Sequence, residues 1–177
     1  NGMAIVQKKQ NNLEKSEELF LKAIDLQESI GDIFGKTASE GNLAMVYKSM
    51  GQYERAYSIY PPLVDLYTKE GFDLGVMSCC INMAICSNFL GEHRWAIQEG
   101  RKGEKIAINN SQAESACDIS NEIAKAYLQL NILDSAMIWA EKAAVLAEDN
   151  FSLEKEMANA LTLSEIHTAQ GNHLLAL

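Results

Sequence analysis

When position i is set beside position i+40, small and apolar residues stay in register along the chain. One small column runs Ala4, Ala44, Ala84, Ala124 and Ser164, and a second runs Ser16, Ala56, Ala96, Ala136 and Ala176. Two apolar columns accompany them: Met3, Leu43, Met83, Ile123, Leu163, and Leu26, Leu66, Ile106, Leu146. Within a period the spacing is helical. Leu43, Ala44 and Tyr47 fall at i, i+1 and i+4, Ile123, Ala124 and Tyr127 repeat them, and strand-like alternation is absent. Small columns let helix backbones approach closely, and the apolar columns fill the space between them.

Polar turn segments punctuate the chain with the same period. Asn11-Asn12-Leu13, Gly51-Gln52-Tyr53, Gly91-Glu92-His93, Asn131-Ile132-Leu133 and Gly171-Asn172-His173 recur at that one fixed interval. Gly31-Asp32, Gly71-Phe72-Asp73, Asn109-Asn110-Ser111 and Asp149-Asn150 fall between units. The pattern predicts helices near 2–10, 13–30, 33–50, 53–70, 73–90, 93–109, 112–130, 133–149, 152–170 and 173–177. Ser111 with Glu114 reads as a capping box, and Asp73 and Ser152 stand where they can cap the equivalent helices. Pro61-Pro62 inside an outer helix predicts a kink. Gly100 and Gly103 predict a weakened, bent or mobile stretch in the next outer helix.

A strict period of this length signals stacked supersecondary units, each contacting its neighbours, rather than one globular core. The expected organisation is a single array over 1–177, with units of about 1–31 (partial), 32–71, 72–110, 111–150 and 151–177 (partial). Arrays end in polar caps, whereas Leu174-Leu175-Ala176-Leu177 is apolar. The expectation is therefore a slice of a longer protein, or ends that meet a second copy to form a homo-oligomer.

Composition narrows the function. With 47% hydrophobic and 22% charged residues the chain is too apolar for disorder. A formal charge of −9 opposes direct nucleic-acid binding, which needs a basic face. The clusters Lys8-Lys9 and Arg101-Lys102 read as solvated helix faces. The uncharged run 74–90 is borderline in length for a membrane span, but it contains Asn82, Ser87 and Asn88 and falls in phase with the repeat, so it reads as a packed helix. Cys79, Cys80, Cys86 and Cys117 form no C-x-x-C pair and have no histidine at ligand spacing. They read as free buried thiols, which favours a reducing, cytoplasmic setting. No phosphate loop, metal cluster or nucleophile elbow is present, so no catalytic residue, metal or cofactor is expected. His93 and His173 share the column of Tyr53, and His167 shares that of Tyr47, so all three read as aromatic substitutes in packing.

The segment Asn42-Leu43-Ala44-Met45-Val46-Tyr47-Lys48-Ser49-Met50-Gly51-Gln52-Tyr53-Glu54-Arg55-Ala56 resembles a tetratricopeptide repeat (TPR). Ile123, Ala124, Tyr127, Asn131, Leu133 and Ala136 give a second match, and Met83, Ala84, Gly91 and Ala96 a third. The resemblance implies an all-α, right-handed α-solenoid of about four and a half helix-turn-helix units. The commonest repeat of the family is shorter, at about 34 residues. The period of 40 resembles that of bacterial regulatory proteins and of animal cell-polarity adaptors.

In the family the first helix of each unit lines a groove that takes extended peptides or partner helices. Here that implies 33–50, 73–90, 112–130 and 152–170. Ile81, Ile85 and Phe89 form an apolar stripe at i, i+4 and i+8, and Met45 and Leu128 are expected to flank it. Asn42 and Asn82 share a column in which relatives bind peptide backbone, and the column changes to Glu122 and Thr162 further on. Lys48, Asn88, Asn121 and Lys125 complete the groove-facing set. The bland alternative has the asparagines tying neighbouring helices together and Ile81 and Phe89 packing under the next unit. The resemblance implies a protein- or peptide-binding scaffold with no membrane or nucleic-acid partner. The alternative function is a regulatory or sensory input region of a larger bacterial transcription regulator or sensor histidine kinase.

Overall fold

The computed structural model describes residues 1–149 and 152–171. Among them are nine helices: α1 (Gly2–Lys9), α2 (Leu13–Ser29), α3 (Ile33–Ser49), α4 (Tyr53–Lys69), α5 (Asp73–Phe89), α6 (His93–Asn109), α7 (Ala113–Gln129), α8 (Leu133–Asp149) and α9 (Leu153–Ala169). From α2 onward each has 17 residues. Their starting positions are evenly spaced, at half the sequence period. Each period is thus two equal halves joined by one kind of turn. Asn150 and the expected helix at 173–177, with His173, Ala176 and the apolar run Leu174-Leu175-Ala176-Leu177, lie outside the described residues.

The turn is set by one left-handed residue. Asn11, Gly31, Gly51, Gly71, Gly91, Ser111, Asn131 and Gly171 all have positive φ, between 54° and 77°. After α1, α2, α3, α5, α6 and α7 two successive amides then reach back to the last free carbonyls: Gly31 N–H donates to Glu28 O (3.1 Å) and Asp32 N–H to Gln27 O (2.8 Å). Gly51 and Gln52 make the same pair of bonds to Lys48 O and Tyr47 O. This is a Schellman closure, which satisfies otherwise orphaned carbonyls.

That closure displaces the expected caps. Ser111 is the left-handed residue, so the N-cap falls on Gln112, and the capping box with Glu114 does not form. Ser152 is an N-cap and Asp73 the first residue of its helix, but neither helix has a side-chain cap bond. Asp32 does cap, accepting from Gly35 N–H at 2.9 Å.

The described chain divides into two compact units, Asn1–Glu70 and Gly71–Leu177. In the first, α2 packs on α1 and α3, and α3 packs on α4. Phe20, Leu43, Val46, Tyr60 and Leu63 are buried there around the small residues Ala4, Ala44 and Ala56. The buried Ser16 hydroxyl donates to Ala4 O at 2.8 Å, tying α2 to α1. Met3 and Leu26 depart from their apolar columns and are exposed.

Helix α4 runs unbroken through Pro61 and Pro62. Both rings lie on its exposed side, and each proline removes one donor from the helix, leaving the carbonyls of Tyr57 and Ser58 without their usual partners in the helix.

In the second unit α5 to α9 pack in order, and α7 also packs directly on α5 and α9. One core joins Met77, Ala107, Ala116, Ile119 and Ile123, and a second joins Ala124, Ala136, Ala140 and Ile166. Helix α6 is continuous across Gly100 and Gly103, and both are buried. A Cβ at Gly100 would lie 2.7 Å from Ile123 Cγ1, and one at Gly103 would lie 3.0 Å from Cys80 Cβ. These glycines therefore bring the α6 backbone tightly against its neighbours, rather than marking a loose stretch. No described helix is long and apolar enough to cross a membrane.

Candidate functional site

Helices α5, α7 and α9 stand side by side in the second unit because α7 packs on both others. They are three of the four first helices that the repeat assigns to a groove. At the C-terminal end of α5 this row opens a pocket of about 440 Å³. Asn88 and Phe89 line it from α5, Gly91 from the following turn, His93 from the start of α6, Glu122, Lys125 and Gln129 from α7, and Glu165 from α9.

A polar network fixes one wall. The Asn88 amide nitrogen donates to Glu122 O (3.0 Å) and to Glu122 Oε2 (3.1 Å), clamping α5 to α7. His93 Nδ1 lies 3.3 Å from Asn88 Oδ1. Lys125 Nζ donates to Glu122 Oε1 at 2.7 Å. The opposite side is more exposed. Phe89 ends α5 with 64% of its surface exposed. Among the described residues Glu165, also exposed, has no hydrogen-bond or ion-pair partner.

Of the residues singled out from sequence, Asn88, Phe89 and Lys125 line this pocket. Ile81 is half-buried and packs against the Met77, Ile119 and Ile123 core, and Leu128 packs against the Ala124, Ala136, Ala140 and Ile166 core. Asn82 is buried, with its amide nitrogen donating to Ser78 O one turn back (2.8 Å). Ile85 is half-buried. Asn121 is buried, and its Oδ1 has no hydrogen-bond partner among the described residues. In the first unit Asn42 donates to Ala38 O (2.9 Å), Met45 is exposed, and Lys48 is half-buried. Lys48 also acts on Lys8, whose ammonium is pushed below its ordinary pKa by burial and then by the Lys48 charge.

Sequence reasoning does not single out Gln129 or Glu165, although the period points to both. Glu165 lies in the column Met45, Ile85, Lys125, and Gln129 lies in the column of Phe89. His93, expected only to fill space, touches Asn88 and the pocket.

The tetratricopeptide repeat model matches residues 41–60. The fold of the chain is that of a TPR-like array of helical repeats. No curated protein matches this repeat array by sequence. Solved structures of similar fold include BtubC (BKLC) from P. vanneervenii, with a TM-score of 0.82 and 16% identity over 98% of this chain and 72% of that one. A putative kinesin light chain with TPR-like repeats from Podosopora anserina gives a TM-score of 0.77 and 17% identity, over 99% of this chain and 87% of that one. A Rap protein solved in complex with competence and sporulation factor gives 0.83 and 17% identity, over 98% of this chain. This tetratricopeptide-type array spans 49% of that Rap chain. Among its described residues no group of three or more His, Cys, Asp or Glu side chains could hold a metal ion.

Proposed function

We propose that the chain is a scaffold that receives a protein or peptide segment against the row α5, α7 and α9, with the pocket at Phe89 as the anchoring point. The pocket itself carries the reading. It combines an exposed aromatic ring, an amide at Gln129 and a carboxylate at Glu165 with a wall already stiffened by the Asn88–Glu122–Lys125 network. An anchor side chain entering it would gain about 25 cal/mol for each Å² of apolar surface covered. The wall would not need to be ordered first, which lowers the cost of binding. The net charge of −9 favours a protein partner over nucleic acid.

The test is to select peptide binders by display and measure each by calorimetry against Phe89→Asp. The expected result is at least a tenfold loss of affinity with helicity unchanged, corresponding to about 1.4 kcal/mol. Binders that keep full affinity for Phe89→Asp would overturn the assignment. A second reading is a regulatory or sensory input region of a larger bacterial transcription regulator or sensor histidine kinase. Its support is the likeness to a Rap protein that was solved with a bound factor. A DNA-binding or kinase domain encoded in the same gene would support this reading, and a gene without one would remove it.

A further inference from the structure

Charge inside the pocket is unbalanced, and the imbalance has a direction. Glu122 and Lys125 neutralise each other at 2.7 Å, and the second Glu122 oxygen is held by Asn88. Glu165 remains, a carboxylate with no hydrogen-bond or ion-pair partner among the described residues. Two carboxylates thus face one ammonium, and that ammonium is already engaged. An anionic ligand group would have to break the Lys125–Glu122 pair and approach Glu165 uncompensated. A cationic one meets a free carboxylate. Phe89 adds an exposed aromatic ring to the same pocket, and its face attracts cations. The Gln129 carbonyl offers a further acceptor. The volume of about 440 Å³ falls within the ~300–1,000 Å³ typical of ligand pockets.

We infer that this pocket selects a cationic side chain, arginine or lysine, of the bound segment, with Glu165 as its counter-charge and Phe89 as its platform. This deepens the peptide-binding reading above and rests on it. It concerns specificity, so it can fail while peptide binding stands.

The experiment uses four display pools of seven-residue peptides, random except for a central residue fixed as Arg, Lys, Glu or Leu. Retention on the intact chain is compared with retention on Glu165→Gln, Glu165→Lys and Phe89→Leu, each checked for native helicity. The Arg and Lys pools are expected to be enriched over the Leu pool, and the Glu pool depleted. Glu165→Gln should reduce Arg-pool retention about three- to tenfold, the range of a partly solvated ion pair with its hydrogen bond. Glu165→Lys should move enrichment to the Glu pool. Phe89→Leu should lower the Arg and Lys pools by a larger factor than the Leu pool. Equal enrichment of all four pools, or an Arg preference that survives Glu165→Gln, overturns the cation inference and leaves peptide binding intact. Retention of no pool overturns both.

Discussion

A methyl group added at position 100 has nowhere to go. Its Cβ would sit 2.7 Å from Ile123 Cγ1 and 3.0 Å from Ile123 Cδ1, and Ile123 is fully buried. Elsewhere in a helix Gly→Ala gains about 1 kcal/mol from backbone propensity. Here overpacking costs about 1–3 kcal/mol and outweighs that gain. Gly100→Ala is therefore expected to lower unfolding free energy by up to about 2 kcal/mol in urea titrations followed by circular dichroism. Ile123→Val deletes Cδ1 and lets the remaining branch turn aside. The double variant should lose less than the sum of the two singles by about 0.5 kcal/mol or more. Simple additivity would mean that the α6 glycines do not act through this contact. The column pattern makes Ile123 legible as core. The role of Gly100 is not legible, because glycine in a sequence reports a missing side chain without saying what occupies the space.

At the scale of the element, eight turns share one backbone conformation but not one residue. Five are glycines and three, Asn11, Ser111 and Asn131, are not. A left-handed conformation costs an ordinary L-residue about 1–2 kcal/mol. A Cβ at Gly31 would meet nothing within 4 Å, so Gly31→Ala should cost about 1 kcal/mol from backbone strain alone. The reverse change, Ser111→Gly, relieves φ of 54° and should raise stability by about 0.5–1 kcal/mol. Thermal melts of both variants check this pair, and a destabilised Ser111→Gly would mean that the serine hydroxyl has work at this turn. The turns also explain what the sequence conceals. Helix boundaries are readable to within a residue or two because Gly and Asn recur at them. The finer half-period beat is masked where serine replaces glycine at 111, which reads as a cap when it is a C-terminal closure. The pocket is only half legible for a different reason. Asn88, Phe89 and Lys125 belong to helix faces that periodicity identifies, whereas Glu165 reaches the pocket because α9 packs on α7, a relation between units that no single stretch encodes.

Three of the four free, buried cysteines, Cys79, Cys80 and Cys117, tie the stability of the molecule to alkaline pH. Burial pushes the Cys79 thiol up to about 12, with the neighbouring Cys80 adding to the shift. Burial also pushes Cys80 up to about 11, and the Glu99 carboxylate adds to that. Cys117 is raised by burial in the same way. In the unfolded chain these thiols ionise near their ordinary value of 9.0. Below that value both states hold the proton, and the thiols add no pH dependence. Above it the unfolded state releases protons that the folded state retains, so stability falls as pH rises toward the folded values. The expected outcome is a urea midpoint that is flat through neutral pH and declines above about pH 9. Cys80→Ala shifts the whole curve through its cavity but should make the alkaline decline shallower, which separates ionisation from packing. The same burial keeps the thiolate fraction low, so iodoacetamide at about pH 8 should label the cysteines of the folded protein far more slowly than those of the urea-unfolded chain. Rapid native labelling of Cys79 or Cys80 would mean that the α5–α6 interface opens locally, well below the free energy of global unfolding.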